Sequence, residues 1–122
     1  MAQILVVDDS GYARRTMRKT LEQASHTVSE ANGGMAAIES YYLNRPDLVL
    51  LDLTMEDVGG FDVLQRMREI DPGARVIVVS ADVQSSTAKL VEAAGGARFL
   101  GKPVQTQELL ETINAVLAEV KE

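Results

Sequence analysis

Residues 48–52 read LVLLD, four aliphatic residues followed by a single acid. A run that is hydrophobic on both faces is typical of a parallel strand covered by helices on each side. Similar runs lie at 4–7, 76–79 and 99–100, whereas residues 26–30 alternate polar and apolar side chains, as an edge strand with one wet face does. The sequence therefore predicts five short strands.

Helical patterns separate these runs, because apolar residues recur there every three or four positions. The patterns span residues 13–24, 37–41, 61–67, 88–94 and 109–120. Thr106 is predicted to cap the last helix, with Glu108 in its first turn, where the helix dipole favours an acid. Strands that alternate with helices imply right-handed crossovers, and hence an α/β fold with a doubly wound five-stranded parallel sheet.

The composition of the chain excludes several classes of protein. Twelve Lys and Arg residues against eighteen Asp and Glu give a formal net charge of −6, which disfavours binding to nucleic acid. The longest apolar runs are about four residues, far short of the ~20 that a membrane span requires. With no cysteine there is no thiol or disulfide chemistry. We expect a single cytoplasmic domain that binds neither nucleic acid nor membrane.

Polar residues follow the predicted strands at the point where each strand ends. Asp8 and Asp9 follow the first run, Asp52 ends the run at 48–51, Ser80 follows the next run and Lys102 follows the last. The carboxyl ends of parallel strands meet at one edge of a sheet, where open α/β sheets bind their ligands. Three carboxylates, one hydroxyl and one ammonium are therefore predicted to converge.

Such a cluster of acids needs a cation or a proton, because unit charges ~4 Å apart interact at about 4 kcal/mol when the effective dielectric is ~20. An all-oxygen, partly open site suits Mg²⁺, which together with Lys102 would neutralise the three acids. A neutralised pocket can accept a phosphoryl group. Asp52, at the end of the most hydrophobic strand, is the predicted nucleophile, which would form an aspartyl phosphate. Asp8 and Asp9 are predicted to hold the metal, and Lys102 and Ser80 to contact phosphoryl oxygens.

These residues lie in five segments whose order resembles that of a known family. The segments are ILVVDDS at 4–10, DLVLLDLTM at 47–55, GFDVL at 60–64, VVSA at 78–81 and GKP at 101–103. Over the whole chain they resemble the receiver domain of bacterial two-component response regulators. The resemblance implies a flavodoxin-like (β/α)5 fold with strand order 2-1-3-4-5. It also implies that Asp52 accepts phosphate from a sensor histidine kinase.

The resemblance further implies how the metal is held. Mg²⁺ would be bound by Asp9, Asp52 and the main-chain carbonyl of Thr54, with Asp8 acting mostly through water. Thr54 and Asp82 occupy positions that tune the lifetime of the phosphoryl group in this family.

A switch is implied as well, with Ser80 and Phe99 as its two residues. The hydroxyl of Ser80 would move toward the phosphoryl group, and the Phe99 ring would turn into the space that it leaves. This would remodel the face formed by the fourth helix, fifth strand and fifth helix, roughly residues 84–117, where a downstream protein would bind. The Lys102–Pro103 bond is typically cis in such domains.

Two other features are interpreted as structural. His26 is expected to be a structural or surface residue of the edge strand. Arg14, Arg15, Arg18 and Lys19 form a basic stripe on the first helix. We interpret the stripe as a solvated helix face, although kinases dock on this helix in the family.

We therefore expect residues 1–122 to form a stand-alone receiver without an output domain, which catalyses only its own phosphorylation and dephosphorylation. A chemotaxis-type diffusible regulator and a phosphorelay intermediate both fit. One alternative is a small Mg²⁺-dependent phosphohydrolase that uses an aspartyl phosphate. Haloacid-dehalogenase-like enzymes, however, need an acid two residues after the nucleophile, where this chain has Thr54. A second alternative is a flavin-binding electron carrier, which would need a Ser/Thr-rich loop after the first strand, where this chain has acids. A third is a module that binds partners without phosphorylation, and the complete set of acids, hydroxyl and lysine argues against it.

Overall fold

The computed structural model of the protein describes residues 2–55 and 57–119. Within them, strands alternate with helices in the predicted order. The strands are β1 (Gln3–Val7), β2 (Thr27–Ala31), β3 (Leu48–Asp52), β4 (Val76–Ser80) and β5 (Arg98–Gly101). The helices are α1 (Gly11–Gln23), α2 (Gly34–Asn44), α3 (Gly60–Ile70), α4 (Ser85–Ala93) and α5 (Thr106–Ala118).

The strands form one parallel sheet in the order β2-β1-β3-β4-β5, which places β3 at its centre. Every residue of β3 and β4 is buried, in keeping with their continuous hydrophobic runs. In β2, by contrast, Thr27 and Ser29 are exposed while Val28 is buried, so this edge strand has one wet face. The predicted parallel sheet and its strand order are confirmed.

The sheet separates two hydrophobic cores, because successive residues of a strand point to opposite faces. Val49 and Leu51 pack with side chains of α2, α3 and α4 on one face. Leu48 and Leu50 pack with side chains of α1 and α5 on the other. Each aliphatic side chain that is fully buried contributes roughly 1.5–3 kcal/mol relative to an exposed one. The helices therefore hold the strand ends in fixed relative positions.

The helices are short. The longest that the structure describes, α1 and α5, have 13 residues each. Among the described residues, no helix combines the length with the apolar character that crossing a bilayer requires.

The predicted start of the edge strand and the predicted cap of the last helix were each wrong by one residue. The edge strand begins at Thr27 because His26 still belongs to the turn, where its amide donates to the Leu21 carbonyl. Thr106 is the first helical residue of α5 and not its cap, since the extended residue Gln105 takes that place and its carbonyl accepts from the Leu109 amide. Glu108 lies in the first turn, as predicted. The last position of the predicted helical pattern, Val120, lies outside the described residues.

Candidate functional site

The predicted polar residues lie at one edge of the sheet because the strands end level with one another. Val7 of β1 pairs with Leu51 of β3, so the residues that follow them, Asp8 and Asp52, are neighbours. Carboxylate oxygens of Asp8, Asp9 and Asp52 lie within 4.8 Å of one another, a group that could hold a metal ion. Parallel pairing thus brings together three acids that are up to 44 positions apart in the chain.

Lys102, the residue after β5, completes this cluster. Its Nζ lies 3.1 Å from Asp8 Oδ2 and 3.7 Å from Asp52 Oδ2. The Lys102 amide donates to the Ser80 carbonyl at 2.8 Å, which ties the residue to the end of β4. The next peptide bond, Lys102–Pro103, is cis, as the resemblance implied. The structure therefore places one ammonium against two of the three carboxylates.

Asp52 is almost completely buried, with 7% of its surface exposed. Burial raises the pKa of its carboxyl above the ordinary value, whereas the Thr54 amide and the Lys102 ammonium lower it. The charges of Asp8 and Asp9 add to the increase. The Thr54 amide donates to Asp52 Oδ1 at 3.2 Å, and Oδ2 is the oxygen nearest Lys102. The ionised carboxylate is thus disfavoured by its surroundings until positive charge is added.

A cavity of about 590 Å³ adjoins the acids, and most of the side chains that line it are apolar. It lies between α1 and the start of α5, and apolar side chains such as Met17, Val79 and Leu109 line it together with Asp52 and Lys102. Charges interact more strongly beside such surfaces than in bulk water.

The two adjacent acids after β1 have different surroundings. Asp8 is buried, and its Oδ1 accepts from the Ser10 amide at 2.9 Å while its Oδ2 accepts from Lys102. Asp9 is exposed, and no residue that the structure describes donates a hydrogen bond to its carboxylate. Ser10 then caps α1 by accepting from the Ala13 amide. Asp9 is therefore the acid whose oxygens are more available to an added cation.

Ser80 ends β4, beside the strand that carries Asp52, and only 1% of its surface is exposed. Its Oγ accepts from the Asp82 amide at 3.1 Å. The Asp82 carboxylate accepts from the Gln84 amide at 3.1 Å and from Thr87 Oγ1 at 2.8 Å. Asp82 thus connects the end of β4 with α4. The sequence pattern gave no signal for its contact with Thr87.

Phe99 lies one strand further from the acids. It pairs with Val78 across the β4–β5 ladder and packs, half-buried, against the core on the α2, α3 and α4 side. The structure therefore does not bring Phe99 into the acidic cluster, and its part in a switch stays a prediction. His26 also lies away from the cluster, where its Nδ1 accepts from the Ala2 amide, in line with a structural role.

The sequence did not predict the contacts that two further residues make. Asp57 lies in the loop that follows β3, and its carboxylate accepts from the amides of Gly34 and Met35 at 2.9 and 3.1 Å, which lowers the pKa of Asp57. It caps α2 from a different loop. The other is Arg14, which was assigned to a solvated stripe, yet its guanidinium donates to the Asp8 carbonyl at 2.7 Å.

Comparisons with known proteins agree with this geometry. The family description "Response regulator receiver domain" matches residues 4–114. The chemotaxis protein CheY of Thermotoga maritima is 36% identical over 117 residues, which cover 93% of this chain and 96% of that protein. Protein PilH of Pseudomonas aeruginosa is 34% identical over 120 residues, with coverage of 97% and 99%.

Solved structures give the same result. A two-component response regulator of the LuxR family from Aurantimonas sp. has a TM-score of 0.93 at 29% identity, covering 99% of this chain and 88% of that one. The chemotaxis protein CheY4 of Vibrio cholerae has a TM-score of 0.89 at 26% identity, with coverage of 95% and 98%. Sequence, fold and the acidic edge of the sheet agree, and the chain belongs to the response regulator receiver domain family, the phosphoacceptors of two-component signalling.

Proposed function

We propose that Asp52 is the phosphoryl acceptor of this receiver and that the group comes from a phosphohistidine of a sensor kinase. The observation that carries the assignment is the position of this carboxylate at the end of the central strand. Oxygens of Asp8 and Asp9 lie within 4.8 Å, and Lys102 Nζ is 3.7 Å away. A buried carboxylate with two other acids beside it needs nearby positive charge to stay ionised, and the phosphoryl group that it would receive needs positive charge as well.

Transfer would form a bond between an Asp52 carboxylate oxygen and phosphorus and break the phosphorus–nitrogen bond of the donor histidine. The ring nitrogen would leave with the bonding electron pair. Attack by water on the acyl phosphate would later return the carboxylate and inorganic phosphate. The protein's part is to hold the carboxylate in line with the donor, because phosphoryl transfer depends chiefly on positioning and on charge.

The donor set fits Mg²⁺. We assign Asp9, Asp52 and the main-chain carbonyl of Thr54 as its ligands, with Asp8 acting mostly through water. Carboxylate and carbonyl oxygens are the ligands that Mg²⁺ prefers, and both oxygens of Asp8 already accept hydrogen bonds within the protein. The bound ion would supply positive charge opposite the phosphoryl oxygens.

Two residues would contact the transferred group itself. The Lys102 ammonium is already 3.7 Å from Asp52 Oδ2 and would bind one phosphoryl oxygen. Ser80 would bind another through its hydroxyl, and its movement together with Phe99 would alter the face formed by α4, β5 and α5. An unidentified downstream protein would recognise that face.

The rate at which the group is lost would depend on residues beside the acceptor. Thr54 is exposed two positions after Asp52. Asp82 is held by Gln84 and Thr87. We assign both residues to control of the phosphoryl lifetime.

We further propose that the 122 residues act as one receiver domain that turns over no substrate other than its own acyl phosphate. Near-complete overlap with the chemotaxis relatives supports this assignment. A phosphohydrolase of the haloacid-dehalogenase type is not favoured, because Thr54 occupies the position of the second acid.

Chemical mapping tests the acceptor directly. After incubation with acetyl phosphate and Mg²⁺, the protein is expected to carry one phosphoryl group that is lost in base. Borohydride reduction converts an aspartyl phosphate to homoserine, so peptide mass spectrometry should find homoserine at position 52. A sample with a chelator in place of Mg²⁺ is the control. Homoserine at position 8 or 9 would contradict the assignment.

Replacing Lys102 separates metal binding from the response to phosphorylation. In Lys102→Ala, Mg²⁺ affinity is expected to be unchanged or several-fold tighter, because a positive charge near the cation is removed. The amide chemical-shift changes that acetyl phosphate causes in the wild type should be lost in β4 and α4. Titration calorimetry and NMR measure the two effects, with the exposed Lys19→Ala as the matched control. A large loss of Mg²⁺ affinity would rule out the proposed role of Lys102.

A further inference from the structure

The guanidinium of Arg14 joins α1 to two strands. Its Nη1 donates to the Asp8 carbonyl at 2.7 Å, and its Nε donates to Glu30 Oε1 at 3.1 Å. Glu30 lies on β2, where it pairs with Val6 of β1. One planar group therefore connects the end of β1, the neighbouring strand and the first helix.

This connection is more enclosed than a surface ion pair. The side chains of Arg14 and Glu30 are 18% and 23% exposed. The other carboxylate oxygen of Glu30 accepts from Arg18 Nη1 at 2.8 Å, so Glu30 is held from two sides. An arginine in a fixed fork geometry loses little further freedom when it makes a second hydrogen bond. Arg14 is thus set in one orientation before it meets Asp8.

Each polar group of Asp8 has a partner. Its amide donates to the Ala31 carbonyl at 3.2 Å, and its two carboxylate oxygens accept from the Ser10 amide and from Lys102. The carbonyl that Arg14 binds belongs to the peptide that joins Asp8 to Asp9. The orientation of this peptide determines where the exposed Asp9 side chain leaves the main chain.

We propose that Arg14 is a positioning residue of the cation site, which it organises by fixing the peptide between Asp8 and Asp9 with respect to Asp52. This inference rests on the proposed function, since it assumes that Asp9 and Asp52 bind Mg²⁺. Residues that hold metal ligands without touching the metal typically account for about tenfold to a hundredfold in affinity.

The sign of the effect separates positioning from charge. A guanidinium beside a cation site repels the cation, so its removal would tighten Mg²⁺ binding if charge were its only influence. Loss of positioning weakens binding. The two explanations therefore predict opposite changes in the same measurement.

Titration calorimetry with MgCl₂ tests the proposal on four folded proteins. Arg14→Met keeps the apolar stem but loses charge and donors, and we expect its Mg²⁺ affinity to fall about tenfold. Arg14→Lys keeps the charge but cannot bond Asp8 and Glu30 through separate nitrogens, and should lie between Arg14→Met and the wild type. Arg18→Met is the matched control, because Arg18 bonds the same Glu30 together with Glu22, and its affinity should equal that of the wild type.

Hydrogen exchange at the Ser10 amide provides a second measurement. This amide bonds Asp8 Oδ1, and it should exchange faster in Arg14→Met than in Arg18→Met. If Arg14→Met binds Mg²⁺ as tightly as the wild type or more tightly, the positioning role is overturned while the proposed function stands. The same holds if Arg18→Met loses as much Mg²⁺ affinity as Arg14→Met. If Arg14→Met does not fold, Arg14→Lys decides, and wild-type affinity there overturns the proposal. Failure of the wild type to bind Mg²⁺ would overturn the proposed function together with this inference.

Discussion

Asp52→Asn is expected to abolish phosphoryl uptake and, at the same time, to make the metal-free protein more stable. The amide side chain cannot form an acyl phosphate, so labelling by acetyl phosphate should fall to background. Stability should rise because the variant removes a buried charge whose surroundings disfavour ionisation. Two carboxylates ~4 Å apart repel by about 4 kcal/mol at an effective dielectric of ~20, and because Lys102 offsets part of this we expect a gain of about 1–2 kcal/mol.

The gain should depend on pH in a defined direction. Burial raises the pKa of Asp52 in the folded protein above its ordinary value of 3.8. A raised pKa means that the protonated side chain favours folding, and that this contribution is lost as the pH rises through the folded value. The difference in stability between Asp52→Asn and the wild type should therefore be small below pH 3.8 and larger near neutrality.

Thermal unfolding in a chelating buffer at several pH values measures this difference. Near neutrality, the unfolding temperature should rise by about 4 °C for each kcal/mol of added stability. Asp62→Asn is the matched control, because Asp62 is an exposed acid of α3 outside the cluster. Retained labelling in Asp52→Asn would place the acceptor elsewhere. A variant that is less stable than the wild type at neutral pH would contradict the electrostatic account.

Gly60→Ala is expected to cause the largest loss of stability among the single substitutions considered. A Cβ at Gly60 would lie 2.5 Å from the Cα and 2.9 Å from the carbonyl oxygen of Leu53, the residue after Asp52. Because both contacts are with main chain, no side-chain rotation relieves them. The Gly60 amide also donates to the Leu53 carbonyl at 3.2 Å, so α3 and the loop after β3 cannot separate without losing this bond.

Overpacking of this kind costs about 1–3 kcal/mol or more, and we expect about 3 kcal/mol here. That loss corresponds to a decrease of about 12 °C in the unfolding temperature. The neighbouring Gly59→Ala is a matched control, since its added Cβ would meet only Asp62 Oδ2 at 3.8 Å. Gly59 is the N-cap of α3, so its replacement should cost no more than about 1 kcal/mol. Equal losses in the two variants would show that the close approach to Leu53 is not the cause.

The strands and the convergence of the acids were predictable because both follow from local patterns. An apolar run that is followed directly by a polar residue marks the end of a buried strand, and parallel pairing brings such ends to one edge. Asp52 and Lys102 could therefore be placed together from sequence although 50 positions separate them.

The contacts of Arg14 and Asp57 could not be predicted, because they depend on how loops and helix faces meet in the folded protein. Arg14 belongs to a basic stripe that also reads as a solvated surface, and only the packing of α1 on β2 brings it to Glu30 and Asp8. Asp57 lies 23 positions from the Gly34 amide that it binds. The sequence gave one signal for such a partner. Residues 33 and 34 at the start of α2 are both glycine, so the helix has no capping side chain of its own. Residues of this kind cannot be identified until the neighbouring loop is placed.

The cap that Asp57 places on α2 gives the loop after β3 two built-in spectroscopic reporters. The Gly34 and Met35 amides bond one carboxylate that stands five residues after Asp52, so their proton resonances will respond when this loop changes position. Met35 is 64% exposed, so solvent can reach its surroundings if the bond opens. A two-dimensional NMR spectrum can therefore follow the position of this loop from the start of a helix that contributes no residue to the acidic cluster.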